Sequence, residues 1–338
     1  MPTGIVIEEI ASCLPERVVT NDDLRREHPA WEMQAVEARA GVARRHVAAE
    51  GETALDLAAR ACQKLFAARP EARGLLDAIL FCTQSPDYPM PPNACVLHGL
   101  LDLPEEVFAL DYTLACSGYP YGLALAQGLA LSGAARNILL VTADTYSKLI
   151  HPDDRSARVL FGDAAAVTWL RAVDSGGCLL DIMSATAGKD YEKFIIPAGG
   201  CRTPRCAATA APVQDDSGNV RTLETIRMDG MGILNFVNSR VVRQVRAILS
   251  RNRLGVEDIR LFVFHQASKL ALDSLTRLLR IPPEKVYCNL AELGNTASAS
   301  IPIALEQARA EGRVSRGDKV LISGFGVGLS WSTALLGL

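Results

Sequence analysis

Three residues far apart in the chain, Cys116, His265 and Asn295, have the side-chain types of an acyl-transfer site. Each stands at or just past the C-terminal end of an apolar stretch, where sites form in α/β sheets. Cys116 lies between the apolar run 107–110 and a helical pattern expected over residues 118–132. A thiol at such a strand-to-helix turn faces the first amides of the helix, whose partial positive charge favours the thiolate. His265 closes the run 261–264, and Asn295 sits in Leu293-Gly294-Asn295-Thr296-Ala297. A nucleophile, a base or donor, and a neutral amide together suit acyl transfer through a thioester. Near the C-terminus, Ser323-Gly324-Phe325-Gly326-Val327-Gly328-Leu329 is a glycine turn whose N–H groups can face an oxyanion. Each signal alone has a plainer reading, since a free cysteine is commonly a core residue and a lone histidine a satisfied one. The glycines do not make a dinucleotide site, because no acidic residue follows at the spacing of about 20 that such a site uses.

The elements that must position these groups follow from periodicity. Residues 5–10 alternate as a strand, and Asn21 reads as a helix N-cap ahead of Asp22 and Asp23. Residues 53–68 have helical apolar spacing, and 78–82 form a short apolar strand of the kind buried on both faces. A helix is expected over 94–100 and a strand over 137–143. Gly118, Gly122, Ala126 and Ala130 give the helix after Cys116 small sides, which an enclosed helix needs. In the second half, strands are expected over 178–184, 261–265 and 319–323, with helices over 228–250 and 299–311. Helix, Gly133 and strand reappear as helix, Gly312 and strand, which points to an internal duplication whose halves meet near residues 171–177. Residues 35–46 carry three arginines beside Gly41, read as a surface loop or an anion contact, and 197–220 read as an exposed excursion.

Composition narrows the class. The 338 residues are 49% hydrophobic and 22% charged, enough for a large core, and a net charge of -3 offers no field for nucleic acid. The nine cysteines follow no paired framework, which reads as a reduced cytoplasmic protein. Cys201 and Cys206 lack the second ligand pair a zinc site would need, so no metal is expected. No apolar run approaches the length of about 18 residues for a membrane span, and the N-terminus does not read as a signal peptide.

Taken together, five stretches give the chain a close resemblance to the β-ketoacyl-ACP synthase III family of thiolase-like condensing enzymes. They are Ala115-Cys116-Ser117-Gly118, Leu160-Phe161-Gly162-Asp163-Ala164, His265-Gln266-Ala267-Ser268, Gly294 to Pro302, and Phe325-Gly326-Val327-Gly328 with Trp331. Asn at position 295 is similar to this family and to chalcone-synthase-like enzymes, where elongating synthases would place His. The resemblance implies an α/β thiolase-like fold of two duplicated βαβαβαββ halves, residues 1–172 and 173–338, in an α-β-α-β-α core. It implies that Cys116 takes an acyl group from acyl-CoA, with the amides of Cys116 and Val327 as oxyanion hole. His265 and Asn295 would then stabilise the enolate formed from malonyl-ACP, without metal or redox cofactor, in a homodimer.

The resemblance also carries binding residues and departures. Arg39 and Ser268 fall at CoA-binding positions and Phe161 in the acyl pocket. Met90 stands where the family often sends a Phe across the dimer interface into the acyl pocket, which implies a differently shaped cavity. Ala35 replaces a Trp that would clamp adenine, Phe264 a Pro, Ser268 an Asn and Val327 a Gly. Lys269, Arg277, Arg280, Arg251 and Arg253 form the expected basic patch for an acidic carrier protein. The alternatives are a specialised synthase passing the acyl group to another acceptor, a papain-like hydrolase with the same Cys, His, Asn order, and an inactive partner subunit.

Overall fold

Two apolar runs of the first half, Ala78–Cys82 and Asn137–Asp144, lie side by side and parallel inside a five-stranded sheet. Phe108–Tyr112 pairs in parallel at one edge; Ala164–Val173 and then Gly4–Cys13 add antiparallel on the other side. A four-stranded sheet repeats this order and these directions with Leu261–Phe264, Lys319–Gly326, Ser330–Gly337 and Leu179–Thr186. Where a fifth strand would complete the repeat, a lone parallel bridge joins Phe262 to Val286. The computed structural model describes residues 2–338 apart from the side chain of Ala35, so the incomplete adenine clamp expected there lies outside the described residues.

Two helices, Ala115–Ser132 and Ser300–Ala310, run between the sheets. Ala54–Ala68 and Asn93–Leu100 cover the first sheet from outside, and Val242–Arg251 covers the second with Lys269–Leu279 beside it. This is the expected five-layer α-β-α-β-α core. Its centre is built from Tyr119, Leu123 and Ala126 of one inner helix, Ile301, Ala304 and Leu305 of the other, and strand residues such as Leu80, Leu140 and Ile322. Among the described residues no helix is long and apolar enough to cross a membrane.

Three expectations about elements need correction. The helix expected from Gly118 begins at Ala115, so Cys116 lies within its first turn and not in the turn before it. Thr20, not Asn21, is the N-cap of Asn21–Glu27: its hydroxyl accepts from the Asp23 N–H at 3.1 Å, and the Asp23 carboxylate accepts from the Thr20 N–H at 2.8 Å. That reciprocal pair leaves Asn21 free to donate to the Val42 carbonyl at 2.8 Å. The long helix expected over 228–250 begins at Gly230 and is interrupted by a π turn, Val237–Val241, before continuing as Val242–Arg251.

The inner helix approaches the first sheet so closely that a Cβ on Gly122 would collide with the Tyr112 hydroxyl and the Leu140 side chain. Alanine favours a helix over glycine by about 1 kcal/mol, but overpacking an inflexible core costs about 1–3 kcal/mol. Gly122→Ala is therefore expected to lower the midpoint of urea unfolding; a raised midpoint would show that this contact is not tight.

Candidate active site

Cys116, His265 and Asn295 line one chamber of about 100 Å³, together with apolar side chains including Phe161, Phe194, Leu234 and Phe325. The three residues are 4%, 1% and 4% exposed. Cys116 is delivered by the first turn of the inner helix. The N–H groups of Val327 and of Cys116 itself both favour the charged form of its sulfur. Gly326 keeps that side open, since a Cβ there would stand 2.8 Å from the sulfur. Ser330 fixes the turn by donating to the Val327 carbonyl at 2.7 Å, while its hydroxyl meets that of Ser117 at 2.7 Å.

The expected thiolate is not what the site holds at rest. Burial, and then the nearby Asp144 carboxyl, push the Cys116 thiol up to about 12, against the pull of the two N–H groups. The rise from an ordinary 9.0 corresponds to about 4 kcal/mol, which exceeds the 0.3 to about 2 kcal/mol a helix N-terminus supplies.

His265 follows directly from Leu261–Phe264, and its N–H donates to the Ser323 carbonyl of the neighbouring strand at 2.9 Å. Its ring stands edge-on to Phe325, with centroids 5.6 Å apart, and its Nδ1 lies 2.7 Å from the Ser300 hydroxyl. Burial lowers the imidazole to about 3, so the ring is neutral near pH 7.

Asn295 is held by a crossing of two chain segments. Its N–H donates to the Leu160 carbonyl at 2.8 Å, and its carbonyl accepts from Gly162 at 3.0 Å, around a parallel bridge between Phe161 and Asn295. Gly294 has φ 69°, and a Cβ there would lie 2.8 Å from the Leu160 carbonyl, so both its conformation and the close approach call for glycine. The Asn295 Oδ1 accepts from Ala297 at 3.0 Å and the Nδ2 donates to the Ala267 carbonyl at 3.3 Å, which leaves the second N–H of Nδ2 for the chamber.

Residues not singled out from sequence complete the site. Asp144 ends the strand Asn137–Asp144, the same strand-end position that marked His265. It is fully buried and accepts from the Gln84 N–H at 2.7 Å, the Ser298 N–H at 3.2 Å and the Ser298 hydroxyl at 2.5 Å. Burial raises it to about 6.

The expected binding residues are more dispersed. Ser268 lines the chamber and caps Lys269–Leu279 by accepting from Ala271 at 3.2 Å. Arg39 is exposed on Met33–Ala40, whose terminal Gly41 abuts the Lys269 side chain. Met90 is 81% exposed and takes no part in its own chain's chamber. Lys269, Arg277 and Arg280 share one groove of about 850 Å³, but Arg251 and Arg253 do not line it. Arg251 is paired with Asp181 instead. Within the arginine-rich stretch, Arg45 is buried on the carbonyls of Val19 and Val159 and on Asn21, and Arg44 pairs with Glu292, while Arg39 stays exposed.

A five-layer α/β fold with a cysteine, a histidine and an asparagine at its centre defines a condensing acyltransferase of the thiolase-like type. Two family models, the 3-oxoacyl-[acyl-carrier-protein] synthase III domain and the C-terminal domain of the same enzyme, match residues 110–188 and 249–338. A relative from Streptomyces coelicolor, β-ketoacyl-[acyl-carrier-protein] synthase III 3, is 36% identical over 99% of this chain and 98% of its own. A crystal structure of a 3-oxoacyl-(acyl-carrier-protein) synthase III superposes with a TM-score of 0.96 at 41% identity, covering 99% of this chain and 100% of the other. The priming β-ketosynthase of the R1128 polyketide pathway superposes at 0.84 with 25% identity over 99% and 96% of the two chains. The chain belongs to the β-ketoacyl-ACP synthase III family, and the thiol-hydrolase reading falls away.

The neutral histidine makes stability depend on pH. A histidine whose folded value is depressed contributes stability that is complete above its unfolded value, 6.5, and is lost as pH falls toward about 3. The raised Asp144 acts in the opposite sense, costing stability as pH rises from 3.8 through about 6. Between about pH 7 and pH 5 the wild type should lose about 2 kcal/mol more unfolding free energy than His265→Gln. Equal losses in denaturant titrations would contradict the neutral, buried imidazole.

Proposed function

We propose that this chain joins an acyl-CoA primer to malonyl-ACP, or a related malonyl thioester, by decarboxylative Claisen condensation. The Cys116 sulfur attacks the primer's thioester carbon. The N–H groups of Cys116 and Val327 hold the tetrahedral oxygen, and CoA leaves as the thiol with the proton that Cys116 gives up. The malonyl thioester then enters, and its carbonyl oxygen accepts from His265 Nε2 and Asn295 Nδ2. The electron pair of the breaking C–C bond passes into an enolate as CO2 departs. The enolate carbon attacks the acyl carbon, and Cys116 leaves as a thiolate that takes up one proton, giving a 3-oxoacyl thioester. No step calls on a metal or redox cofactor.

The observation that carries this reading is the convergence of a thiol, an imidazole, a carboxamide and two directed amides on one water-poor chamber. Phe161 would border the acyl chain, Arg39 and Ser268 the CoA arm, and Lys269, Arg277 and Arg280 an acidic carrier protein. The free state of all nine cysteines supports a cytoplasmic location, and the repeated strand order supports halves that meet at residues 172 and 173. A second reading, transfer in a specialised pathway, is favoured by the likeness to a polyketide priming synthase.

A homodimer is part of the proposal. Phe108–Tyr112 is an edge strand that exposes Phe108 and Leu110, and the loop before Asn93–Leu100 exposes Met90 and Tyr88. A second copy pairing along that edge would cover these side chains and bring Met90 toward its partner. Light scattering should give twice the chain mass, and a persistent monomer would remove this part of the proposal.

Intact-mass measurements with a panel of acyl-CoAs should show one acyl group on the wild type and none on Cys116→Ala. Asn295→Ala should still load an acyl group but decarboxylate malonyl-ACP about 100-fold more slowly. An acylated Cys116→Ala, or an Asn295→Ala that decarboxylates normally, would overturn the assigned roles.

A further inference from the structure

We infer that Ser300 is a positioning residue that selects the Nε2–H tautomer of His265, the form that can donate into the chamber. The inference rests on the condensation proposed above only for its kinetic consequence; the tautomer itself stands on the geometry.

His265 is 1% exposed and Ser300 2%, so neither can turn to water. The neutral ring carries one N–H, on Nδ1 or on Nε2. The partner of Nδ1 is the Ser300 hydroxyl, 2.7 Å away, and this is the one hydrogen bond that the hydroxyl makes among the described residues. If Nδ1 carried the hydrogen and donated to Ser300, the hydroxyl's own hydrogen would be buried without an acceptor. Leaving a buried donor unused costs about 1–3 kcal/mol. If Ser300 donates to an unprotonated Nδ1, both groups are satisfied and the ring hydrogen resides on Nε2. In this orientation the ring packs edge-on against Phe325.

Two consequences separate the half-reactions. With hydrogen on Nε2, His265 can hydrogen-bond a thioester carbonyl but cannot take the proton of the Cys116 thiol. Acyl loading then depends on the Val327 and Cys116 amides, while decarboxylation depends on the Nε2–H and so on Ser300. Ser300 also opens the inner helix Ser300–Ala310, directly after the turn in which Ser298 is fastened to Asp144. Its hydroxyl is therefore placed by the same anchored segment that places Asn295.

The test uses the full-length protein labelled with ¹⁵N-histidine; five histidines keep the spectrum assignable, with His265→Gln identifying the signal. The wild type should give the Nε2–H pattern for His265. Ser300→Ala should mix the two tautomers and lower kcat for malonyl-ACP decarboxylation about tenfold, the equivalent of one hydrogen bond, at unchanged KM. Loading of Cys116 from acetyl-CoA should stay at the wild-type rate, and Ser300→Thr, which keeps the hydroxyl, should restore both tautomer and decarboxylation. An Nδ1–H pattern in the wild type overturns the inference, as does a Ser300→Ala protein with an unmixed Nε2–H pattern. A wild type that turns over no malonyl thioester defeats the proposed function instead, while the spectrum still decides the tautomer. The wild-type spectrum also decides it should Ser300→Ala fail to fold.

Discussion

A helix can carry a nucleophile into the space between two sheets only if its backbone nearly touches both. On one side Gly118 and Gly122 of Ala115–Ser132 lie against Cys82, Tyr112 and Leu140; on the other, a Cβ on Gly324 would stand 2.5 Å from the Cys116 carbonyl. This double contact sets the depth of the sulfur. It also removes water, and with it the means of solvating a thiolate or an imidazolium, so the resting site holds neutral groups. In the proposed reaction the amides become useful when charge develops on a reacting oxygen, in surroundings where such dipoles are worth more than in water.

The second requirement is that residues from opposite halves keep register. Here the crossing of segments 160–162 and 293–295 acts as a stitch, with two glycines allowing backbone to meet backbone. Buried carboxyls secure it on both sides. Asp163 accepts from Ala48 at 2.8 Å and Ser147 at 3.0 Å, and Asp144 holds Ser298. Such groups are costly to bury and tolerable because nearly every lone pair has a donor. The site is thus fixed less by side-chain packing than by peptide groups and carboxyls whose partners leave few alternatives.

Much of this was legible from sequence because strand ends are where α/β sheets present chemistry. Cys116 and His265 could be placed just past such an end from apolar runs alone, whereas Asn295 follows the short helix Leu290–Leu293 and is placed by its bridge to Phe161; the small-sided helix foretold an enclosed one. Asp144 obeyed the same rule but stands beyond a run read as ending at Ala143, and a carboxyl there resembles any surface turn. Ser300 could not be singled out, since a serine among small residues says nothing about which ring nitrogen it meets. The thiolate expectation failed on a magnitude: the helix terminus is local and modest, whereas burial acts on the whole charge. Of the five cations expected to form one patch, Lys269, Arg277 and Arg280 share a groove, while Arg251, on a separate helix, pairs with Asp181, a partner far away in sequence.

The chamber's single thiol bears on timing. It offers one sulfur and one pair of amides, so one acyl group can be held there at a time. In the proposed reaction the two thioester carriers must therefore use the site in turn, the first departing before the second arrives, and the covalent bond to sulfur is what preserves the memory of the first visit.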